Sequence, residues 1–268
     1  MIIGDLAIAL GRRFPVSDSE RWDHVGLSVG DPQAEISGVC VALDATAENV
    51  LEASGCGANV LLTHHPVYIK APEAFCPTSP LRPTSSAAVF EAARNGVCII
   101  SHHTNLDRSR EARDLLPSLI GMTATSSLEY PEDPSKHGLG ALSRTEGETL
   151  GDISRACAHA FGCEPRVWGP LDRPVERVAF LGGSLGDLGE LAVLSSADAI
   201  VCGEAGYHVC QDLSARGLGV ILLGHDRSEE PFVDILKEAC ISAGVDRDRI
   251  STIVRPRQWN TIRDEELA

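Results

Sequence analysis

Short runs in which nearly every residue is apolar recur along this chain, and they constrain its fold more than any other feature. In the first half they are Ile36–Leu43, Asn59–Leu62 and Val97–Ile100. In the second half they are Val178–Leu181, Ala199–Cys202 and Val220–Leu223. A strand with one face in water alternates apolar and polar residues. A strand apolar throughout is covered on both faces, the mark of a parallel sheet. Helical segments separate the runs: Ala45–Ser54, Ser85–Asn95 closed by Gly96, Glu111–Ile120, Thr149–Phe161 behind an N-terminal cap, and the amphipathic Glu229–Ala243. His137–Thr145 is expected to add a strand. The alternation predicts an α/β protein with mainly parallel sheets. Aromatic residues are only 4% of the 268, so the core must be built from Val, Leu, Ile and Ala.

Two proline-rich stretches punctuate the pattern. Pro72–Pro83 reads as a surface loop, and Tyr130-Pro131-Glu132-Asp133-Pro134 as the boundary between two halves. The expected units are residues 1–130 and 131–268. Each half holds three apolar strands at similar separations. Each third strand is followed by a histidine and, four residues later, an acid: His103 and Asp107, then His225 and Glu229. The halves therefore read as a duplicated or pseudo-symmetric pair. The polar tail after Trp259 is expected to fray.

Acidic residues outnumber basic ones 38 to 23, a formal charge of −15 that disfavours nucleic acid and anionic membrane. An anionic small molecule would need a local positive centre. The start Met1-Ile2-Ile3-Gly4-Asp5 lacks the basic segment of a secretion signal, and no apolar run approaches a membrane span. Nine cysteines are scattered without a CxxC pair, and Cys40, Cys98 and Cys202 sit inside apolar runs. Reduced, buried thiols in a cytoplasmic protein are the expectation.

Chemistry concentrates after the strands. Thr63-His64-His65-Pro66 follows one run, Ser101-His102-His103-Thr104-Asn105-Leu106-Asp107 another, and Gly224-His225-Asp226-Arg227-Ser228-Glu229 a third. Ligands of open parallel sheets bind beyond the carboxyl ends of the strands, and all three clusters sit at that edge. Imidazoles mixed with carboxylates suit zinc, iron or manganese. His64 and His65 diverge at a strand end, which favours two ions side by side over one. His225 and Glu229, four apart on an incipient helix, share a face. The expected ligands are His64, His65, His103, Asp107, His225 and Glu229, around a dinuclear site between the two units. Glu204 and His208, after a further strand, are candidate orienters or proton carriers. Asp44, at the end of the first strand, is a weaker site candidate or a helix cap, Gly182-Gly183-Ser184 reads as a tight turn, and His137 and His159 as ordinary surface or packing residues. Trp22-Asp23-His24-Val25-Gly26-Leu27 carries no function on physical grounds. No dinucleotide fingerprint or Walker motif is present.

Taken together, Trp22-Asp23-His24-Val25-Gly26-Leu27, Thr63-His64-His65-Pro66, His103 with Asp107, Gly203-Glu204 with His208, and Gly224-His225 with Glu229 resemble a known family. It is the toroid-forming, dinuclear-metal family labelled GTP cyclohydrolase 1 type 2 homologues, or interacting-factor-three-like proteins. The resemblance implies that the six expected ligands match the family's metal positions. It implies a two-domain subunit without an inserted domain, assembled as a hexameric ring, a trimer of dimers. It also implies a metal-dependent hydrolase acting on a small molecule such as a purine nucleotide. A metal-binding scaffold, a metal-delivery protein or a regulatory interaction protein is the alternative. His102 stands beside the expected ligand His103, and Glu229 is chosen over Glu230 by spacing.

Overall fold

The computed structural model of the protein describes residues 1–77, 83–254 and Trp259. The chain opens with helix α1 (Ile3–Arg13) and strand β1 (Gly26–Val29). A β-α-β-α-β run follows: β2 (Val39–Ala42), α2 (Ala47–Gly55), β3 (Val60–Thr63), α3 (Pro83–Asn95) and β4 (Cys98–Ser101). Helices α4 (Thr104–Asp107) and α5 (Arg110–Ser118) lead to β5 (Ala124–Ser126) and β6 (Ala141–Arg144). Helix α6 (Leu150–Ala160) and β7 (Arg166–Trp168) precede a second such run: β8 (Arg177–Phe180), α7 (Leu188–Leu194), β9 (Ala199–Cys202), α8 (Tyr207–Ala215) and β10 (Gly219–Leu222). The chain then passes through α9 (His225–Glu229), α10 (Phe232–Ser242) and β11 (Ile250–Thr252).

The strands form two sheets, ordered β1-β4-β3-β2-β11 and β5-β6-β8-β9-β10-β7. Within each run the three strands are parallel neighbours. An antiparallel edge strand flanks the third: β1 beside β4, and β7 beside β10. The two sheets thus repeat one arrangement, in keeping with the repeated sequence pattern. The fold is α/β with parallel central strands, as the apolar runs predict.

Burial on both faces explains those runs. Val39 and Val41 of β2 turn to one cluster, while Cys40 and Ala42 turn to another. The outer face of the first sheet is covered by α2 and α3 through Val50, Ala53, Ala88 and Ala92. The outer face of the second is covered by α7 and α8 through Ala192, Cys210 and Leu213. Between the sheets lies one continuous apolar layer drawing on Leu6 and Leu10 of α1, Leu116 of α5, Ile153 of α6, and Phe232 and Leu236 of α10.

That shared layer moves the division from where the prolines suggest. The expected boundary between residues 130 and 131 does not separate the sheets. Strand β5 lies before it yet pairs with β6 in the second sheet, and β11 lies at the far end yet pairs with β2 in the first. The helices exchange likewise: α5 packs on β5 and β6, and α10 on β2, β3 and β11. A helix leaving the third strand of either run enters the middle layer, where it covers the opposite sheet.

Local differences have local causes. The single helix expected over Glu229–Ala243 is broken at Pro231, which lacks an N–H and hinders the preceding turn, so α9 ends at Glu229 and α10 starts at Phe232. Within the proline-rich loop, Pro80 lies outside the described residues, as does the tail beyond Trp259. No helix among the described residues is long and apolar enough to cross a membrane.

Helix α6 starts as its sequence predicts. The Thr149 side chain accepts from Asp152 N, and the Asp152 carboxylate accepts from Thr149 N, satisfying donors that a helix start leaves unpaired. Thr149→Ala is expected to lower stability by about 1 kcal/mol. The urea midpoint measures it; an unchanged midpoint would contradict the capping account.

Candidate metal centre

Four imidazoles and two carboxylates meet where the carboxyl ends of the parallel strands face each other across the middle layer. Strand β3 delivers His64 and His65 immediately after Thr63. Strand β4 delivers His103, which caps α4, and α4 places Asp107 one turn on. Strand β10 ends at a turn through Gly224, whose φ of 104° belongs to the left-handed region glycine tolerates, and α9 carries His225 at its first residue and Glu229 at its last. The i, i+4 spacing brings His225 Nε2 to 3.1 Å from Glu229 Oε2.

Each imidazole is tied through Nδ1 to an oxygen behind it. His64 Nδ1 donates to the His102 carbonyl at 3.0 Å, His65 Nδ1 to Asp44 Oδ1 at 2.8 Å, His103 Nδ1 to Asp23 Oδ1 at 3.0 Å, and His225 Nδ1 to Glu204 Oε1 at 3.0 Å. Such a tether fixes the tautomer and frees Nε2 for the centre. His65 Nε2 lies 2.8 Å from Glu229 Oε2. His64 Nε2 lies 3.5 Å from Asp107 Oδ1 and 3.7 Å from Glu229 Oε1. Among the described residues, two triads have ligand atoms within 4.8 Å of one another: His64, His65 and His103, and His65, His225 and Glu229. They share His65.

Glycines make room for the acid. A side chain at Gly182 would run into the Phe232 ring and one at Gly183 into Glu229 Oε1, while Gly203 is closed in by Ser228 Oγ and the Gly183 carbonyl. Ser228 Oγ accepts from Gly183 N and donates to the His225 carbonyl, locking α9 onto this turn. Gly182-Gly183-Ser184 is therefore the bed of Glu229 as well as a turn.

The neighbouring candidates separate cleanly. His102 turns into the core, where its ring packs on Phe14 and its Nδ1 accepts from Asn105 Nδ2. His103 instead faces His64 and His65, with ring centroids at 5.2 and 5.7 Å. Glu230 pairs with Arg227 and points elsewhere. Glu204 stands behind His225, its carboxylate accepting from Nδ1. His208 is exposed on α8 with its ring edge-on to Tyr207. The cap of α2 is Thr46, not Asp44, whose carboxylate is taken by His65. Sequence reasoning gave Asp23 no role, and a contact between residues 80 apart leaves no local signal.

A cavity of about 710 Å³ opens onto His65 and His225. Its wall includes the apolar Leu43, Pro165 and Leu222, the carboxylates of Asp44, Glu204 and Asp226, and the cation Arg166.

The centre is strongly charged without ions. Burial alone would raise the Glu229 carboxyl, but the His225 and His65 imidazoles against it hold it well below the ordinary carboxylate range. Burial raises Asp107. Burial opposes charge on His65, yet Asp44 and Glu229 lift its pKa to about 10. Glu229 lifts His225 to about 9. Burial would raise Asp23, but His103 and Thr104 bring it to about 2. Burial lowers His102 to about 4, so it stays neutral. In the metal-free protein His65 and His225 bind protons more tightly folded than unfolded. Their stabilisation is full below 6.5 and is lost as pH rises through about 9 and about 10. Urea midpoints in chelator are expected to fall from pH 6.5 to pH 10; a flat or rising profile would contradict this electrostatic picture.

The family model of Duf34/NIF3 (NGG1p interacting factor 3) matches residues 1–253. A GTP cyclohydrolase 1 type 2 homolog of Clostridium perfringens is 30% identical over 222 residues, covering 82% of this chain and 83% of that one. One from Streptomyces coelicolor is 27% identical over 241 residues, covering 87% and 83%. A hypothetical protein of Staphylococcus aureus superposes with a TM-score of 0.86 at 23% identity, over 98% of this chain and 99% of that one. A Bacillus cereus protein related to NIF3 superposes with a TM-score of 0.85 at 20% identity, over the same shares. With the profile spanning both sheets and every residue of the histidine-carboxylate cluster, the chain belongs to the Duf34/NIF3 family.

Proposed function

We propose that this centre holds two divalent metal ions and that the protein is a metal-dependent hydrolase acting on a small molecule. One observation carries the reading. His64 Nδ1 donates to a carbonyl, which can only accept, so in the neutral ring His64 Nε2 presents a lone pair. It faces Asp107 Oδ1, a second lone-pair atom, at 3.5 Å. Both atoms are buried and neither has a hydrogen-bond partner among the described residues. Opposed buried lone pairs are unfavourable unless a cation satisfies both.

His64, His65, His103, Asp107, His225 and Glu229 would hold the ions, and this mixed nitrogen and oxygen set fits zinc, iron or manganese. Paired divalent ions polarise a substrate oxygen and make water acidic near neutral pH. The chain supplies the rest. The tethers at Asp23, Asp44 and Glu204 orient the imidazoles. Glu204, partly exposed on the cavity wall, is placed to accept or return a proton at its carboxylate. The cavity admits a small molecule directly to His65 and His225. Arg166 is a cation on its wall, so an anionic substrate depends on the ions for most of its countercharge. The name carried by the relatives makes a purine nucleotide such as GTP the first substrate to test. The ring-shaped hexamer implied by the family resemblance is the assembly we propose, and light scattering decides it.

Glu229→Gln is expected to lower metal content per chain well below that of Glu230→Gln, because Glu229 is buried against three imidazoles while Glu230 pairs with Arg227. Elemental analysis of protein purified without chelator measures both; equal metal content would reject Glu229 as a ligand. The metal-loaded protein is expected to hydrolyse at least one member of a nucleotide and phosphoester panel. Full loading with no turnover, and transfer of metal to an acceptor protein, would favour a delivery or scaffold role.

A further inference from the structure

The segment Glu20–His24 is tied to the start of α4 by a set of hydrogen bonds that the ligand set does not explain. Glu20 N donates to Thr104 Oγ1 at 2.9 Å, and Arg108 donates to Glu20 Oε1 and to the Asp18 carbonyl. Asp23 is the knot. Its Oδ2 accepts from Thr104 N at 3.1 Å and from Thr104 Oγ1 at 2.5 Å. Its Oδ1 accepts from His24 N at 2.8 Å and from His103 Nδ1 at 3.0 Å. The Asp23 side chain is 0% exposed. Trp22 lies edge-on against the His103 ring, centroids 6.0 Å apart, on the solvent side.

We infer that Asp23 is a positioning residue for this centre: it holds His103 as the Nδ1–H tautomer with Nε2 toward the ions. The inference rests on the metal-centre reading. A carboxylate has only acceptor oxygens, and both of these are engaged by donors, so His103 Nδ1 must carry the proton it shares with Oδ1. In the neutral ring Nε2 is then a lone-pair atom, the form a metal requires. The other two carboxylate tethers differ. The side chains of Asp44 and Glu204 are 32% and 54% exposed, so water can replace either acceptor. Water cannot reach behind His103. Asp23 also fixes where the ring sits, because the same carboxylate binds the backbone N–H of Thr104, the next residue. Moving Asp23 therefore moves ring and backbone together. The position of Trp22 follows from the same knot: its neighbour's carboxylate holds the segment down over the outer face of the ligand.

Asp23→Asn separates orientation from charge. The amide keeps the shape but brings an NH₂ group among four donors. Directed at His103, it donates to Nδ1 and shifts the proton to Nε2, the metal-facing nitrogen. Three measurements on the full chain test this. In the metal-free protein, ¹⁵N resonances of the imidazoles are expected to report His103 as Nδ1–H in the unsubstituted chain and as Nε2–H in Asp23→Asn. Zinc affinity, by competition with a chromophoric chelator, is expected to fall about 10–100-fold in Asp23→Asn. The cobalt-loaded variant is expected to show altered visible absorption. Retained Nδ1–H tautomer and unchanged zinc affinity, with only a lower melting temperature, would overturn the proposal and leave Asp23 a structural tie. If Asp23→Asn does not fold, the tautomer in the unsubstituted chain decides: Nε2–H at His103 overturns it. If the unsubstituted chain binds no zinc, cobalt, iron or manganese, the metal reading fails, and the inference falls with it for a reason the tautomer measurement does not share.

Discussion

A buried carboxylate is the constraint on which this structure turns. The Glu229 side chain is 4% exposed, and an isolated anion at that depth would be neutralised or expelled. It is held ionised by imidazoles contributed from two sheets. His65 comes from the first sheet, with Nε2 2.8 Å from the carboxylate, and His225 from the second, with Nε2 3.1 Å from it. The interaction therefore joins halves of the molecule that are distant in sequence. It also dictates composition nearby, since Gly182, Gly183 and Gly203 leave the space that the acid and α9 occupy.

The exchange of helices between sheets serves the same end. Were α5 and α10 folded back onto their own sheets, each run could bury its core alone, and the two strand edges would have no reason to meet. Because α10 crosses to β2 and β3, and α5 to β5 and β6, the edges are fixed face to face. Phe232, the first residue of α10, reaches this junction, with its ring 5.2 Å from that of His64. The apolar layer and the polar centre are thus continuous, and the rigidity of one is lent to the other. A cluster of histidines built on strand ends and short helices is held more exactingly than one built on loops.

Much of this was legible in the chain because parallel strands leave strong marks. Of the six central strands, β2 and β9 fall inside the expected runs, and β3, β4, β8 and β10 overhang theirs by one residue. The residues after β3, β4 and β10 were legible as site residues because loops at that edge are where such folds place chemistry. Edge strands were not legible: β1, β7 and β11 are three or four residues long and carry no distinctive period. The choice of His103 over His102 was not open to periodicity, since adjacent residues differ only in which way the backbone turns after Ser101. Asp23 and the Gly182-Gly183 bed were missed for a different reason. Their roles arise from contacts about 45 to 80 residues away in sequence, and such pairings have no local signature. Asp44 stays open in the sequence between a site role and a cap, because Asp before a helix normally is one. Here Thr46 caps, and the acid is free to tether His65.

The account stands on two cations resolving the opposed lone pairs of His64 and Asp107 and the charge of Glu229. Anomalous diffraction from crystals of zinc-loaded protein, collected on both sides of the zinc edge, tests that most directly. The account predicts two anomalous peaks per chain roughly 3.5–4 Å apart. Both should lie among His64, His65, His103, Asp107, His225 and Glu229. Peaks elsewhere, or none at this cluster in crystals soaked to saturation, would contradict it.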